Sequence, residues 1–190
     1  MVEVAMTEVE IKLPVPDRQK LIEDLIGLGF KTGNTILETD VYFDSSKEEI
    51  RKNGEALRIR RIQNLETGEL CSVITFKGKK LDQVSMARQE LEAGISDAET
   101  VLQILTAIGF SPVRPKVVKK RQQYHWNRMA ACVDQVQGLG DFLELEIVIG
   151  EEERKAQALE KIEEILHKLG FQMSDTTRTS YLSMLQNRED

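Results

Sequence analysis

Alternation is the feature that most limits what this chain can fold into: in segment after segment, apolar residues alternate with positions that are almost all ionised. Val9, Ile11 and Leu13 interleave with Glu8, Glu10 and Lys12. Arg58 and Arg60 flank Ile59, Thr75 and Lys77 flank Phe76, and Arg88, Glu90 and Glu92 run past Leu91. Lys119 and Arg121 share one parity, Asp134 follows Val133, and Glu144 and Glu146 flank Leu145. A period of two belongs to a β-strand, whose successive side chains point to opposite faces of a sheet. The wet face of an ordinary antiparallel sheet mixes Ser, Thr, Asn and Gln with its charges. Here two or three consecutive same-face positions are charged in most strands. Summed, that face holds seven cations (Lys12, Arg58, Arg60, Lys77, Arg88, Lys119, Arg121) and seven anions (Glu8, Glu10, Glu90, Glu92, Asp134, Glu144, Glu146).

The period-two segments cover about 3–13, 35–44, 55–64, 70–78, 84–94, 113–125, 129–136 and 141–149, which makes eight strands. Glu66-Thr67-Gly68, Asn127-Arg128 and Gln137-Gly138-Leu139-Gly140 fall between neighbours as hairpin turns, so the pairing is mainly antiparallel. One phrase occurs three times, at Leu25–Phe30, Leu105–Phe110 and Leu166–Phe171, each ending in Gly-Phe. A glycine past the last helical residue closes a helix in the left-handed conformation, and the Phe packs back on the last turn. Helices are therefore predicted over about 17–28, 97–108 and 151–169, with a fourth short one over 177–187. Ser96 with Glu99 reads as a capping box for the second, and Leu159, Ile162, Ile165, Leu166 and Leu169 form an apolar stripe on the third. The prolines, Pro14, Pro16, Pro112 and Pro115, are expected where one element gives way to the next. With no Gly/Ser-rich linker, residues 1–190 read as one α+β domain: an eight-stranded antiparallel β-barrel or tunnel with α-helices packed outside.

Charge and composition narrow the function. Thirty-two Asp+Glu against 26 Lys+Arg leave a formal charge of -6, the wrong sign for a chain that mainly grips nucleic-acid phosphates. No apolar run approaches the roughly 18–20 residues of a membrane helix, and no charged-then-apolar leader is present, so a cytoplasmic protein with neither membrane nor nucleic-acid partner is expected. Cys71 and Cys132 lack CxxC spacing and read as buried free thiols. His125 and His167 show no ligand spacing and read as surface positions.

If the eight strands close with their apolar sides outward under the helices, the charged sides line the lumen. Like charges sharing a narrow space favour guests of opposite sign: metal ions for the carboxylates, a polyanion for the Arg/Lys set. A triphosphate with divalent metal satisfies both, since about four negative charges and two doubly charged cations add little net charge to a balanced lumen.

Glu8-Val9-Glu10-Ile11-Lys12 resembles the N-terminal ExExK signature of the CYTH superfamily, the triphosphate tunnel metalloenzymes. The resemblance extends in the family's order through Ala56-Leu57-Arg58-Ile59-Arg60, Thr75-Phe76-Lys77-Gly78, Arg88-Gln89-Glu90-Leu91-Glu92, Lys119-Lys120-Arg121, Asp134 with Gly138-Leu139-Gly140, and Phe142-Leu143-Glu144-Leu145-Glu146. It implies an eight-stranded tunnel. It further implies that Lys12, Arg58, Arg60, Lys77, Arg88, Lys119 and Arg121 bind the triphosphate, with Lys12, Arg58, Lys119 and Arg121 carrying catalysis. Glu8, Glu10, Asp134, Glu144 and Glu146 would hold Mg²⁺ or Mn²⁺, with Glu90 and Glu92 in support. Asp40-Val41-Tyr42-Phe43-Asp44, and Tyr181 with Leu182 and Leu185, look most like the class IV adenylyl cyclase branch, which converts ATP to cyclic AMP and pyrophosphate. The alternatives are an inorganic or thiamine triphosphatase and a non-catalytic polyphosphate- or nucleotide-binding module. By the same resemblance a homodimer is expected.

Overall fold

The computed structural model describes residues 7–80, 88–150 and 155–189. Eight strands, β1 (Thr7–Pro14), β2 (Lys31–Ser45), β3 (Ala56–Asn64), β4 (Leu70–Lys80), β5 (Arg88–Gly94), β6 (Phe110–Trp126), β7 (Met129–Val136) and β8 (Gly140–Ile149), close into one barrel in the order β1-β5-β4-β3-β2-β6-β7-β8. Every pairing is antiparallel. The helices are α1 (Arg18–Gly27), a short α2 (Glu49–Lys52), α3 (Ala98–Ala107), α4 (Lys155–Lys168) and α5 (Tyr181–Glu189), with a single 3-10 turn at Met173–Asp175. The expected starts of the first strand at 3–6, the fifth at 84–87 and the third helix at 151–154 lie outside the described residues.

The apolar parity of the strands faces outward and is covered by helices. Val9, Ile11 and Leu13 of β1, Ala131 and Val133 of β7, and Leu143, Leu145 and Ile147 of β8 pack with Leu21 and Leu25 of α1 and Ala158, Ile162, Ile165 and Leu166 of α4. A second cluster joins Phe43 and Ile59 to Ala98 and Leu105 of α3. Trimming a fully buried member such as Ile162 or Leu166 to Ala would cost about 2–5 kcal/mol. The Gly-Phe helix ends form as the sequence predicts. Gly29 (φ +94°) and Gly170 (φ +83°) take the left-handed conformation, and the N–H groups of Phe30 and Phe171 donate back to the carbonyls of Leu25 and Leu166.

Four expectations need correction. Asp97, not Ser96, caps α3: its carboxylate accepts from the N–H groups of Glu99 and Thr100. Cys132 is buried but Cys71 is exposed: it has the inward parity of Thr75 and Lys77 but lies at the hairpin end of β4, opposite Ile62, outside the cavity lining. Pro112 and Pro115 lie inside β6, in a stretch paired only with β2, and Pro115 sits at a register shift where a missing N–H breaks no ladder. Finally, α5 does not pack on the outer wall. Its Tyr181, Leu182 and Leu185 join Val117, Val136 and Phe142, residues of the inward parity, so this helix enters one end of the barrel.

Candidate functional site

All fourteen predicted residues have inward parity, and the barrel surrounds a cavity of about 650 Å³. Thirteen of them line it; Asp134 stands just behind Lys119 and Arg121. The sequence reading missed Glu38 and Asp40 of β2, which line the same cavity and are 3% and 2% exposed. They alternate with Leu37, Thr39 and Val41 just as the other charges alternate with apolar residues, so the same period marks them. They bring the inward-facing carboxylates to nine, but Arg51, Lys79, Arg178 and Glu55 line the cavity too, so with Asp134 it carries ten carboxylates and ten cations.

The charges divide into two sets. The first is a closed network across β3, β2, β6, β7 and β8. Arg60 forks onto Asp40 at 2.7 and 2.8 Å and reaches Glu38 at 2.8 Å. Lys119 lies 3.1 Å from Glu38 and 2.9 Å from Asp134. Arg121 forks onto Asp134, both contacts at 2.7 Å, and also engages Glu144. Burial would push the carboxyls of Glu38, Asp40 and Glu144 up, but the neighbouring Lys and Arg outweigh it and hold all three below the usual carboxylate range. Asp134 first, with Glu38 and Glu144, works against burial to hold Lys119 and Arg121 firmly charged.

The second set is open. Glu8 and Glu10 of β1 and Glu146 of β8 bring one carboxylate oxygen each to within 4.8 Å of one another, with Glu10 and Glu146 directly paired across the strands. Among the described residues none of the three joins an ion pair. Burial raises each carboxyl from 4.5 to about 7. Glu90 and Glu146 add to the rise at Glu8, Glu144 at Glu10, and Glu10 and Glu144 at Glu146. Such a trio, crowded and short of positive charge, fits a hard divalent cation with oxygen ligands. Asp134 and Glu144 stand apart from it, committed to Lys119 and Arg121. Glu90 engages Lys77, and Glu92 accepts from the Thr75 hydroxyl at 2.8 Å.

Cations with unspent capacity lie beside the trio. The Arg58 Nε is buried with no hydrogen-bond partner among the described residues, and its guanidinium stands 3.6 Å from Asp40. Arg88 is buried in the cavity wall, and the Lys12 ammonium rests over the ring of Tyr181. Tyr42, Val113, Ile50, Leu182 and Gln186 line the same cavity, which therefore carries apolar and amide surface as well as charge. His125 and His167 are exposed, and Lys120 points to the other side of the wall from Lys119 and Arg121.

Comparison with known proteins agrees with this geometry. The CYTH domain profile matches residues 6–181. A protein of Methanocaldococcus jannaschii named as a candidate adenylate cyclase is 39% identical over 179 residues, covering 94% of this chain and 98% of its own. Adenylate cyclase CyaB of Aeromonas hydrophila is 24% identical over 149 residues, 78% of this chain and 72% of its own. Among solved structures, the PH1819 protein of Pyrococcus horikoshii OT3 superposes with a TM-score of 0.86 at 32% identity, over 95% of this chain and 99% of that one.

Proposed function

Because this chain belongs to the CYTH domain family, we propose that it is a metal-dependent enzyme acting on a nucleoside triphosphate, a class IV adenylyl cyclase that converts ATP to cyclic AMP and pyrophosphate. The observation that carries this reading is one cavity in which a carboxylate trio short of cations adjoins cations short of anions. A triphosphate chelating a divalent metal is the guest that both sets lack. The volume supports a nucleoside in addition to the phosphates, since about 650 Å³ lies within the roughly 300–1,000 Å³ of small-molecule sites.

Glu8, Glu10 and Glu146 would hold Mg²⁺ or Mn²⁺, and once bound the ion would polarise phosphoryl oxygens and neutralise their charge. Lys12, Arg58, Lys77 and Arg88 would bind the phosphate oxygens, and Lys119, Arg121 and Arg60 would present a fixed positive wall behind them. Asp134, Glu144, Glu38 and Asp40 serve that wall: they orient its cations and keep them charged. In the cyclisation the ribose 3′-hydroxyl gives up its proton to solvent as its oxygen bonds to the α-phosphorus, the bond from that phosphorus to the pyrophosphate oxygen breaks, and pyrophosphate leaves with the electron pair. The chain's contribution is positioning the two reacting atoms in line and stabilising charge on the leaving group. The names of the two curated relatives support this reaction over terminal hydrolysis.

The test is incubation with Mg²⁺ or Mn²⁺ and, separately, ATP, inorganic triphosphate and thiamine triphosphate, with products resolved by chromatography. Cyclic AMP and pyrophosphate are expected from ATP. Phosphate release without cyclic AMP would make the protein a triphosphatase, and turnover of none of them would leave a binding module.

A further inference from the structure

Lys12 is 2% exposed and directly opposite Glu144 in the β1–β8 pairing, yet its ammonium does not rest on that carboxylate. Glu144 is taken by Arg121. The Lys12 Nζ lies instead 4.2 Å from the centroid of the Tyr181 ring. Lys119 Nζ stands 5.3 Å from the same centroid. Tyr181 is itself fixed on two further sides. Its hydroxyl donates to Asp134 Oδ2 at 3.1 Å, and its ring meets Phe142 edge-on at 5.0 Å and 73°. An aromatic face attracts an ammonium through its quadrupole without cancelling the charge. A carboxylate in that place would form an ion pair, which an incoming anion would have to break.

We propose that the Tyr181 ring is a positioning element for Lys12, seating its ammonium away from Glu144 and leaving it uncompensated for the phosphate that enters. This rests on reading the cavity as a triphosphate site. Lys12 comes from the first strand and Tyr181 from the last helix, so the seat exists only when α5 is docked in the barrel end. Docking of α5 and readiness of Lys12 are thereby one event. Glu144 and Glu10 face Lys12 from β8 and β1 and act on its charge, but Glu144 is engaged by Arg121 and by the Tyr181 hydroxyl, so the ammonium forms no ion pair with it.

The decisive experiment is a double-mutant cycle read by calorimetric Kd for inorganic triphosphate in Mg²⁺, using wild type, Y181L, K12M and the pair. Y181L should weaken binding about tenfold by removing the ring. In the K12M background the same change should cost nothing further, because the residue it acts through is gone. Y181F, which keeps the ring, should recover most of the Y181L loss. Additive losses would show that Tyr181 acts only by holding α5 and would overturn the inference while leaving the triphosphate site intact. A wild type that binds no triphosphate would overturn the site reading and the inference together. Should Y181L fail to fold, wild type labelled with ¹³C-lysine supplies the answer. The ε-methylene signal that disappears in K12M should lie upfield under the ring current and move on triphosphate addition, and an ordinary lysine position for it would overturn the inference.

Discussion

Replacing Glu10 by Gln is expected to stabilise the metal-free protein at alkaline pH while weakening its hold on a divalent cation. The Glu10 carboxyl is raised from 4.5 to about 7, by burial first and by Glu144 next. Below pH 4.5 it carries its proton in both the folded and unfolded chain, and it contributes no difference between them. Between pH 4.5 and 7 the folded state keeps a proton that the unfolded chain has released, so stability falls as pH rises; above 7 the loss is complete. A shift of that size corresponds to about 3 kcal/mol, and sharing protons with Glu8 and Glu146 brings one group's portion to about 2–3 kcal/mol. Gln has no charge to impose. Glu10→Gln should therefore exceed wild type by about 2–3 kcal/mol at pH 8, a rise in Tm of about 5–10 °C for a chain of this size, and match it within about 1 kcal/mol at pH 5. Calorimetric melts in EDTA at the two pH values measure this, and Mn²⁺ added at pH 8 should then raise the Tm of wild type more than that of the variant. Equal gains at pH 5 and pH 8, or a variant less stable than wild type at pH 8, would refute the reasoning that burial and the neighbouring carboxylates penalise the charged form of Glu10 in the folded state.

Asp134→Ala should cost about 3–5 kcal/mol in urea denaturation, because it strands Lys119 and Arg121 in a wall where Asp134 itself is 0% exposed; a loss under 1 kcal/mol would show that the network is not structural. Arg58→Ala should lower turnover of the triphosphate by about 10²–10³ with the fold intact, and unchanged turnover would remove Arg58 from the phosphate site. Mn²⁺ binding should release protons near neutrality and tighten as pH rises from 6 to 8, since Glu8, Glu10 and Glu146 must lose theirs first. Calorimetry in buffers of different ionisation enthalpy would detect it, and a pH-independent affinity would exclude the trio as ligands.

The barrel and the composition of its lumen were legible because one period carries both messages: Val9, Ile11 and Leu13 announce the outer wall, and Glu8, Glu10 and Lys12 the inner one. Glu38 and Asp40 obey the same period and were equally readable. What the sequence does not encode locally is pairing. Asp134, Glu144 and Glu146 look alike along the chain. The β6–β7 hairpin sets Arg121 opposite Asp134, and β8, the next strand, brings Glu144 to the same guanidinium, whereas only the non-local pairing of β8 with β1 leaves Glu146 against Glu10. The site of α5 was illegible for a related reason: its apolar residues Leu182 and Leu185 would suit an outer groove as well, and it is the cluster of Val117, Val136 and Phe142 at the barrel end that receives them. Cys71 and the two prolines of β6 depended likewise on where each strand runs past its neighbours.

The division of the lumen explains how one barrel can be both stable and receptive. Placing so many charges at random in one lumen would leave desolvated charges throughout, and an unpaired buried charge is among the most costly features a fold can contain. Here compensation is concentrated along contiguous strands, β3, β2, β6, β7 and β8, where Arg60 and Arg121 each meet two carboxylates and Lys119 three. That half holds its shape without a guest. The deficit is confined to where β1 meets β8 and β5, with the carboxylate trio on one side and Lys12, Arg58 and Arg88 beside it. The carboxyls there lower their own cost by holding protons to about pH 7. A guest carrying both a divalent cation and phosphate oxygens would replace those protons and supply the missing anions in the same step, so each of the two should bind its own site more tightly when the other is present. Charge that is left uncompensated on one side of a rigid, compensated wall is what would give the barrel an affinity for a guest of mixed sign.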